Sequence, residues 1–231
     1  ITERTRLVYT ESVSNPTLRL ANMPKLADIA HARGIPLVVD NTFSPLMLSP
    51  AALGTDVIVH SITKFISGAS DVIAGAICGT DEFIAELMDL HTGPLMLLGP
   101  TMDPNVAAAI SLRIAHLSLR MTAHGERALA LATRTHELGL DVGYPGLPDH
   151  PDHALFDELR CPEYGWGGIF TIDVGDEHKA NEFMAHLQND QRFGYMAVSL
   201  GYHDTLMSCS GSSTSSELSE DDKRAAGIAP G

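Results

Sequence analysis

Basic residues are scarce in this chain. Lys and Arg number 15 against 29 Asp and Glu, a formal net charge of −14. An acidic balance of this size argues against a nucleic-acid or anionic-membrane surface, because both need basic patches. Cysteine is scarce too. Cys78, Cys161 and Cys209 are widely spaced and odd in number. They offer neither a metal-binding spacing nor a disulfide framework, so a reducing cytoplasm is the expected setting. No apolar run approaches the roughly 20 residues that span a bilayer. No signal peptide is visible, and no segment repeats. His150 and His153 stand three apart with a proline between them and no further ligand nearby, so no metal is expected.

What is present is a globular composition: 231 residues, 44% of them hydrophobic, enough for one or two domains. The chain is organised around residues 37–75. The run Leu37-Val38-Val39 is short, rich in β-branched residues and ends in Asp40. It reads as a buried parallel strand that delivers a carboxylate to its C-terminal edge. A second run from Asp56 delivers Ser61, Thr63 and Lys64 in the same way. Between and before them lie helical patterns: Leu26, Ile29, Ala30 and Arg33 at i, i+3, i+4 and i+7 after Asn22 and Pro24, and a short helix at 50–53. Strands alternating with helices predict an α/β fold with a mainly parallel sheet. In such sheets ligands sit outside the carboxyl ends of the strands. Asp40 and Lys64 are therefore expected to face one pocket.

An acid and a lysine in one pocket can be an ordinary ion pair. They can also be two of the groups that hold pyridoxal phosphate (PLP). The lysine condenses with the cofactor's aldehyde, and the acid keeps its pyridine nitrogen protonated. Ser61 and Thr63, on either side of Ile62, are suited to donating hydrogen bonds to the phosphate.

The strings VVDNTF and VHSITKFISGASDVIAGAI closely resemble the signature of the Cys/Met-metabolism family of PLP-dependent enzymes. Glu11 to Thr17 resembles that family's E-S-P-x-N-P-T segment, with Val13 where proline is usual. The resemblance covers nearly the whole chain. It implies that Asn15, which by itself reads as the start of an Asn-Pro turn, bonds the cofactor's phenolic oxygen. It also implies that Ser199, in AVSLG, helps hold the substrate carboxylate and Lys64. GPLMLLGPTMDPNVA and FGYMAVSLGYHDTLMSCSGSSTSSEL resemble the methionine γ-lyase branch, which implies γ-elimination of the small sulfur amino acid L-methionine to methanethiol, 2-oxobutanoate and ammonia. Cystathionine γ-lyase and O-acetylhomoserine sulfhydrylase activities stay open. So does an inactive fragment that only pairs with intact subunits. The family assembles as dimers of dimers, so a homo-oligomer is implied.

Further along, Val72 to Cys78 reads as a strand, 82–90 as a helix capped by Asp81, and 93–102 as core or pocket wall. Val106, Ile110, Ile114, Leu117 and Met121 recur at helical period and predict one long helix bridging two domains. The expected division is 1–120, a PLP-binding large domain, and 121–231, a smaller α+β domain. Strands are expected at 140–143 and 168–174, with a helix through Ala180, Phe183, Met184 and Leu187. Cys209 has no identifiable base partner and reads as structural. The chain opens on Ile1, and its tail at 220–228 resembles the family's penultimate helix. It therefore reads as the middle of a longer enzyme. On that reading the upstream phosphate loop, the ring-stacking aromatic and the carboxylate-gripping Arg lie outside it.

Overall fold

The computed structural model describes residues 1–213 and 215–228. Thr214, in the serine-rich run, and Ala229 to Gly231 lie outside the described residues. Four strands form the main sheet in sequence order: β1 (Val8–Glu11), β2 (Leu37–Asp40), β3 (Val57–Ser61) and β4 (Gly75–Cys78). The first three run parallel, with Glu11 opposite Asp40 and Asp40 opposite Val59. The fourth runs antiparallel to β3, with Gly75 opposite Ser61. The sheet is thus mainly parallel with flanking helices, as the alternation predicts. The fourth strand starts later than expected. Thr63 NH donates to Ala74 O at 3.2 Å, and Ala74 NH donates to the Thr63 hydroxyl at 3.0 Å. These bonds draw Ala74 onto the lysine loop rather than into the ladder.

Helix α1 (Met23–His31) is capped by Asn22, whose side chain accepts from Lys25 NH at 3.1 Å. Gly34 follows it at φ +63. Its buried face is Met23, Ala27 and Ala30. That corrects the expected stripe: Leu26 is partly buried, Ile29 is 45% exposed, and Arg33 lies past the helix end. Met23, being nonpolar and directly after the cap, competes for the core more strongly than the periodicity alone suggested. Together with Leu37, Val39, Leu48 and Phe156 these side chains form the main core. Each large one contributes roughly 1.5–3 kcal/mol by leaving water.

Helices α2 (Asp81–Leu87) and α3 (Pro94–Leu98) follow. Thr80, not Asp81, caps α2 by accepting from Phe83 NH at 3.2 Å, and α2 ends three residues before the expected point. The segment 93–102 is not core, since Leu97 is 66% and Leu98 83% exposed. The single long helix is two, α4 (Pro104–Ile114) and α5 (Leu117–Glu137), broken at Ala115 and His116. No proline or glycine marks the break. Instead Arg120, one turn into α5, reaches back and donates to Arg113 O at 3.3 Å, satisfying a carbonyl at the end of α4. The expected division at 120 falls inside α5. Met121 packs with Met47, Phe65 and Leu117, and Ala128 and Ala132 pack with Val142 and Tyr144.

The remainder is built from β5 (Asp141–Gly143), α6 (His153–Leu159), β6 (Thr171–Asp173), α7 (Glu177–Asn189), β7 (Tyr195–Met196), β8 (Leu206–Met207) and α8 (Glu220–Ala225). β5 pairs antiparallel with β6, and β7 pairs parallel with β8. β6 is shorter than expected. Gly167 and Gly168 instead serve as close-packed turns, with Gly167 O accepting from the Tyr144 hydroxyl at 2.9 Å. Cys209 is buried against Ala180 and Met184 of α7, a packing role. His153 Nδ1 bonds Pro145 O at 2.7 Å, and its ring stacks on Trp166.

Candidate active site

Parallel pairing brings the carboxyl ends of β1, β2 and β3 to one edge. Glu11 and Asp40 stand there side by side, and Ser61 lies two residues beyond Val59, Asp40's partner on β3. Asp40 is held from two directions: Thr42 NH donates to Oδ1 at 2.9 Å, and the Tyr9 hydroxyl donates to Oδ2 at 3.3 Å. The Thr42 hydroxyl in turn accepts from Ser61 NH at 2.8 Å, lacing the end of β2 to the end of β3. Burial and the Asp40 charge push the Tyr9 phenol up, so it stays protonated as a donor. Burial also raises Glu11, against the opposing bond from Asn15 NH, and Asp40 adds to the rise. That bond, Asn15 NH to Glu11 Oε2 at 2.9 Å, anchors the Asn15–Pro16 turn beside the sheet edge. His60 is lowered by burial, which outweighs Asp40, and its Nδ1 is buried without a hydrogen-bond partner.

After Ser61 the chain turns tightly: Lys64 NH donates to Ser61 O at 3.2 Å, and Gly68 NH to Lys64 O at 2.8 Å. Lys64 is half-buried. Its Nζ donates to the Ser199 hydroxyl at 3.3 Å, across 135 residues of sequence. The reason is backbone contact. Gly201, at φ +77, lies so close to the lysine turn that a Cβ there would fall 2.7 Å from Lys64 C and from Phe65 Cα. Only glycine permits that approach.

Asp40 and Lys64 do not pair with each other, and neither forms a salt bridge among the described residues. The ordinary ion-pair reading is therefore set aside. What remains is a carboxylate held without a cation and a half-buried lysine without an acid. Both are free for a ligand bearing a protonated ring nitrogen and an aldehyde, and PLP fits that demand. The two hydroxyls differ. Ser61 Oγ bonds no described group, whereas Thr63 Oγ1 accepts from Ala74 NH and donates to Ala74 O at 3.3 Å.

Sequence reasoning missed Tyr9, Thr42, Gly201 and two arginines. Tyr9 stands two residues before Glu11 on a strand, so its shared face with Asp40 was available from the period of two. Arg113 forks onto Asp71 at 2.6 and 2.7 Å and reaches Ser67 Oγ at 2.9 Å. Arg120 donates to Phe65 O and, at 2.8 Å, to Ile66 O. Nothing local in the sequence announces either contact.

Comparison with known proteins identifies the family. The family model for Cys/Met metabolism PLP-dependent enzymes matches residues 1–231. Methionine gamma-lyase of Arabidopsis thaliana is 58% identical over 228 residues, covering 99% of this chain and 52% of that protein. L-methionine gamma-lyase of Porphyromonas gingivalis is 33% identical over 236 residues, 57% of its length. The crystal structure of cystathionine gamma synthase from Xanthomonas oryzae pv. oryzae in complex with cystathionine superposes with a TM-score of 0.86 at 33% identity, over 98% of this chain and 57% of that one. The chain spans about half the length of the curated relatives it matches. It belongs to the Cys/Met metabolism family of PLP-dependent enzymes.

Proposed function

We propose that the chain is part of a carbon–sulfur lyase that cleaves L-methionine, with water, to methanethiol, 2-oxobutanoate and ammonia. The observation that carries the reading is Lys64, half-buried, free of any acid and bonded by Nζ to the Ser199 hydroxyl. The 58% identity to a methionine gamma-lyase favours methionine among the sulfur amino acids. When bound, PLP supplies an electron sink for the substrate's α-carbon. Lys64 would hold the cofactor, and its Nζ would be the base for the substrate's α-proton. Asp40, oriented by its bonds from Thr42 NH and the Tyr9 hydroxyl, would face the ring nitrogen. Asn15 would donate to the phenolic oxygen. The free Ser61 hydroxyl would donate to the phosphate, and Thr63 would do so on giving up its bond to Ala74 O. Ser199 orients Lys64 Nζ and the substrate carboxylate.

The division into 1–120 and 121–231 is part of this reading, with α5 as the element shared between the two halves. So is assembly with further copies. Ile73, Leu98, Leu112 and Leu119 are 91%, 83%, 74% and 73% exposed, apolar side chains that further copies would cover. No helix among the described residues is long and apolar enough to cross a membrane. The three cysteines are free and Cys78 is exposed, which supports a reducing, cytoplasmic setting.

The test supplies the full-length enzyme with L-methionine, cystathionine and O-acetylhomoserine plus sulfide in turn. Methanethiol and 2-oxobutanoate from methionine, in equal amounts, support the reading. Homocysteine formation without methanethiol would replace it with a sulfhydrylase.

A further inference from the structure

In the turn that carries Lys64, one side chain meets two adjacent carbonyls that receive no backbone NH among the described residues. Ile62 O accepts from Ser67 NH, and Lys64 O from Gly68 NH. The carbonyls of Phe65 and Ile66 receive no backbone NH among the described residues. Arg120 meets both with the two ends of one guanidinium. Its Nε donates to His116 Nδ1 at 3.0 Å, and one terminal nitrogen also reaches Arg113 O. Among the described residues no carboxylate pairs with Arg120. Burial, with Arg113 nearby, lowers the Arg120 pKa.

Seven residues earlier, Arg113 grips the far end of the same loop through Ser67 and Asp71. The guanidinium of Arg120 occupies the space beside Gly68, at φ +74, where a Cβ would stand 2.9 Å from Cζ. A planar fork suits two carbonyls in fixed relation, and a lysine does not reproduce it. On the other side, Phe65 is packed against Leu117 and Met121 and meets the His124 ring edge-on, with centroids 5.3 Å apart. The peptide next to Lys64 is thus clamped between an apolar floor and a charged fork, both from α5.

We propose that Arg120, supported by Arg113, is a positioning residue that sets the height and direction of Lys64 at the ends of β2 and β3. This rests on the reading of Lys64 as the cofactor lysine. The break between α4 and α5 serves the clamp. It lets Arg113 and Arg120 approach one loop from two helices. The arginines touch neither substrate nor cofactor, so their effect appears in the orientation of what Lys64 carries.

The experiment uses full-length holoenzyme carrying Arg120→Gln, Arg120→Lys, Arg113→Lys or Asp71→Asn. Arg134→Lys, an exposed arginine elsewhere on α5, is the control. Three quantities are read: kcat and KM with L-methionine, the circular dichroism of the bound cofactor's visible band, and Tm. Arg120→Gln is expected to lower kcat by about 10- to 100-fold, with KM changed less than about 3-fold, as for a reacting group displaced by up to an ångström. The cofactor dichroism changes with it, and Arg120→Lys recovers part of both. A fall in Tm with kcat and dichroism equal to wild type would overturn the proposal, because a stability role moves only Tm. If Arg120→Gln does not fold, Arg113→Lys and Asp71→Asn decide. Reduced kcat with altered dichroism in them supports the clamp, and wild-type values overturn it. Wild-type holoenzyme with no cofactor on Lys64 is a different failure: it removes the reading beneath the proposal before any arginine is tested.

Discussion

Gly201→Ala is the sharpest single perturbation this structure offers. The added Cβ would stand 2.7 Å from Lys64 C and from Phe65 Cα, and closer still to Phe65 N. All three atoms are backbone, so no side chain can swing away. The contacts are about 0.7–1.0 Å short of ordinary van der Waals separation, and the repulsion must be relieved by moving one chain. Residue 201 also sits at φ +77, where a non-glycine residue costs roughly 1–2 kcal/mol. Overpacking adds about 1–3 kcal/mol. The two together predict a loss of about 2–5 kcal/mol of folding stability. The displacement falls on the peptide that carries Lys64 and on the segment that carries Ser199. Their 3.3 Å contact is therefore lost, and kcat drops by about 10- to 100-fold. The assay is urea unfolding and steady-state turnover of L-methionine by the full-length holoenzyme. Gly139→Ala is the matched control. Gly139 has φ +87 but open space around its Cβ position, so it should lose only about 1–2 kcal/mol and no turnover. Wild-type turnover in Gly201→Ala, with a stability loss no larger than that of Gly139→Ala, would refute the close-approach argument.

Two further outcomes follow from Tyr144, away from the lysine turn, and from His124, whose ring meets Phe65 beside it. Tyr144 is fully buried, and its hydroxyl donates to Gly167 O at 2.9 Å. Tyr144→Phe leaves that carbonyl short of a donor and should cost about 1–2 kcal/mol in urea unfolding, with kcat unchanged. His124 is lowered to about 4 by burial and by Arg120 and Arg127. Its folded pKa lies below its unfolded value, so the fold favours the neutral ring. The associated stability is complete above about pH 6.5 and is lost as the pH falls toward 4. It amounts to at most about 3 kcal/mol, and less because the ring is partly accessible. His124→Gln should be less acid-sensitive than wild type between pH 7 and 4.5. Equal slopes of stability against pH in the two proteins would contradict the assignment.

The ends of the strands were legible because burial writes itself into composition. A short β-branched run with one face buried and the other half-buried reads as a parallel strand, and the residue that ends it, Asp40 or Ser61, is placed by counting. The same logic found α1 but misjudged its face. Helical period marks an apolar stripe without saying which edge of it meets the sheet, so Ile29 came out exposed and Met23 buried. The clamp on Lys64 was not legible at all. Arg113 and Arg120 lie on a helical pattern read only for its apolar positions, and their partners, Asp71 and the Phe65 and Ile66 carbonyls, are more than 40 residues away in sequence. A polar side chain's reach across an interface leaves no periodic trace. The break at Ala115 and His116 was hidden for the same reason, since it is stabilised by Arg120 rather than by proline or glycine. Gly201 carried a signal in AVSLG, but only the fold says what backbone it has to admit.

The measurement that tests the central claim most directly is chemical capture of the cofactor on the full-length protein. The protein is incubated with PLP, reduced with borohydride and digested, and the modified peptide is identified by mass. The account predicts a pyridoxyl group on Lys64 and on no other lysine. A folded protein that acquires no adduct at Lys64, or acquires it elsewhere, would contradict the assignment of Asp40, Ser199 and the clamped turn to one cofactor site.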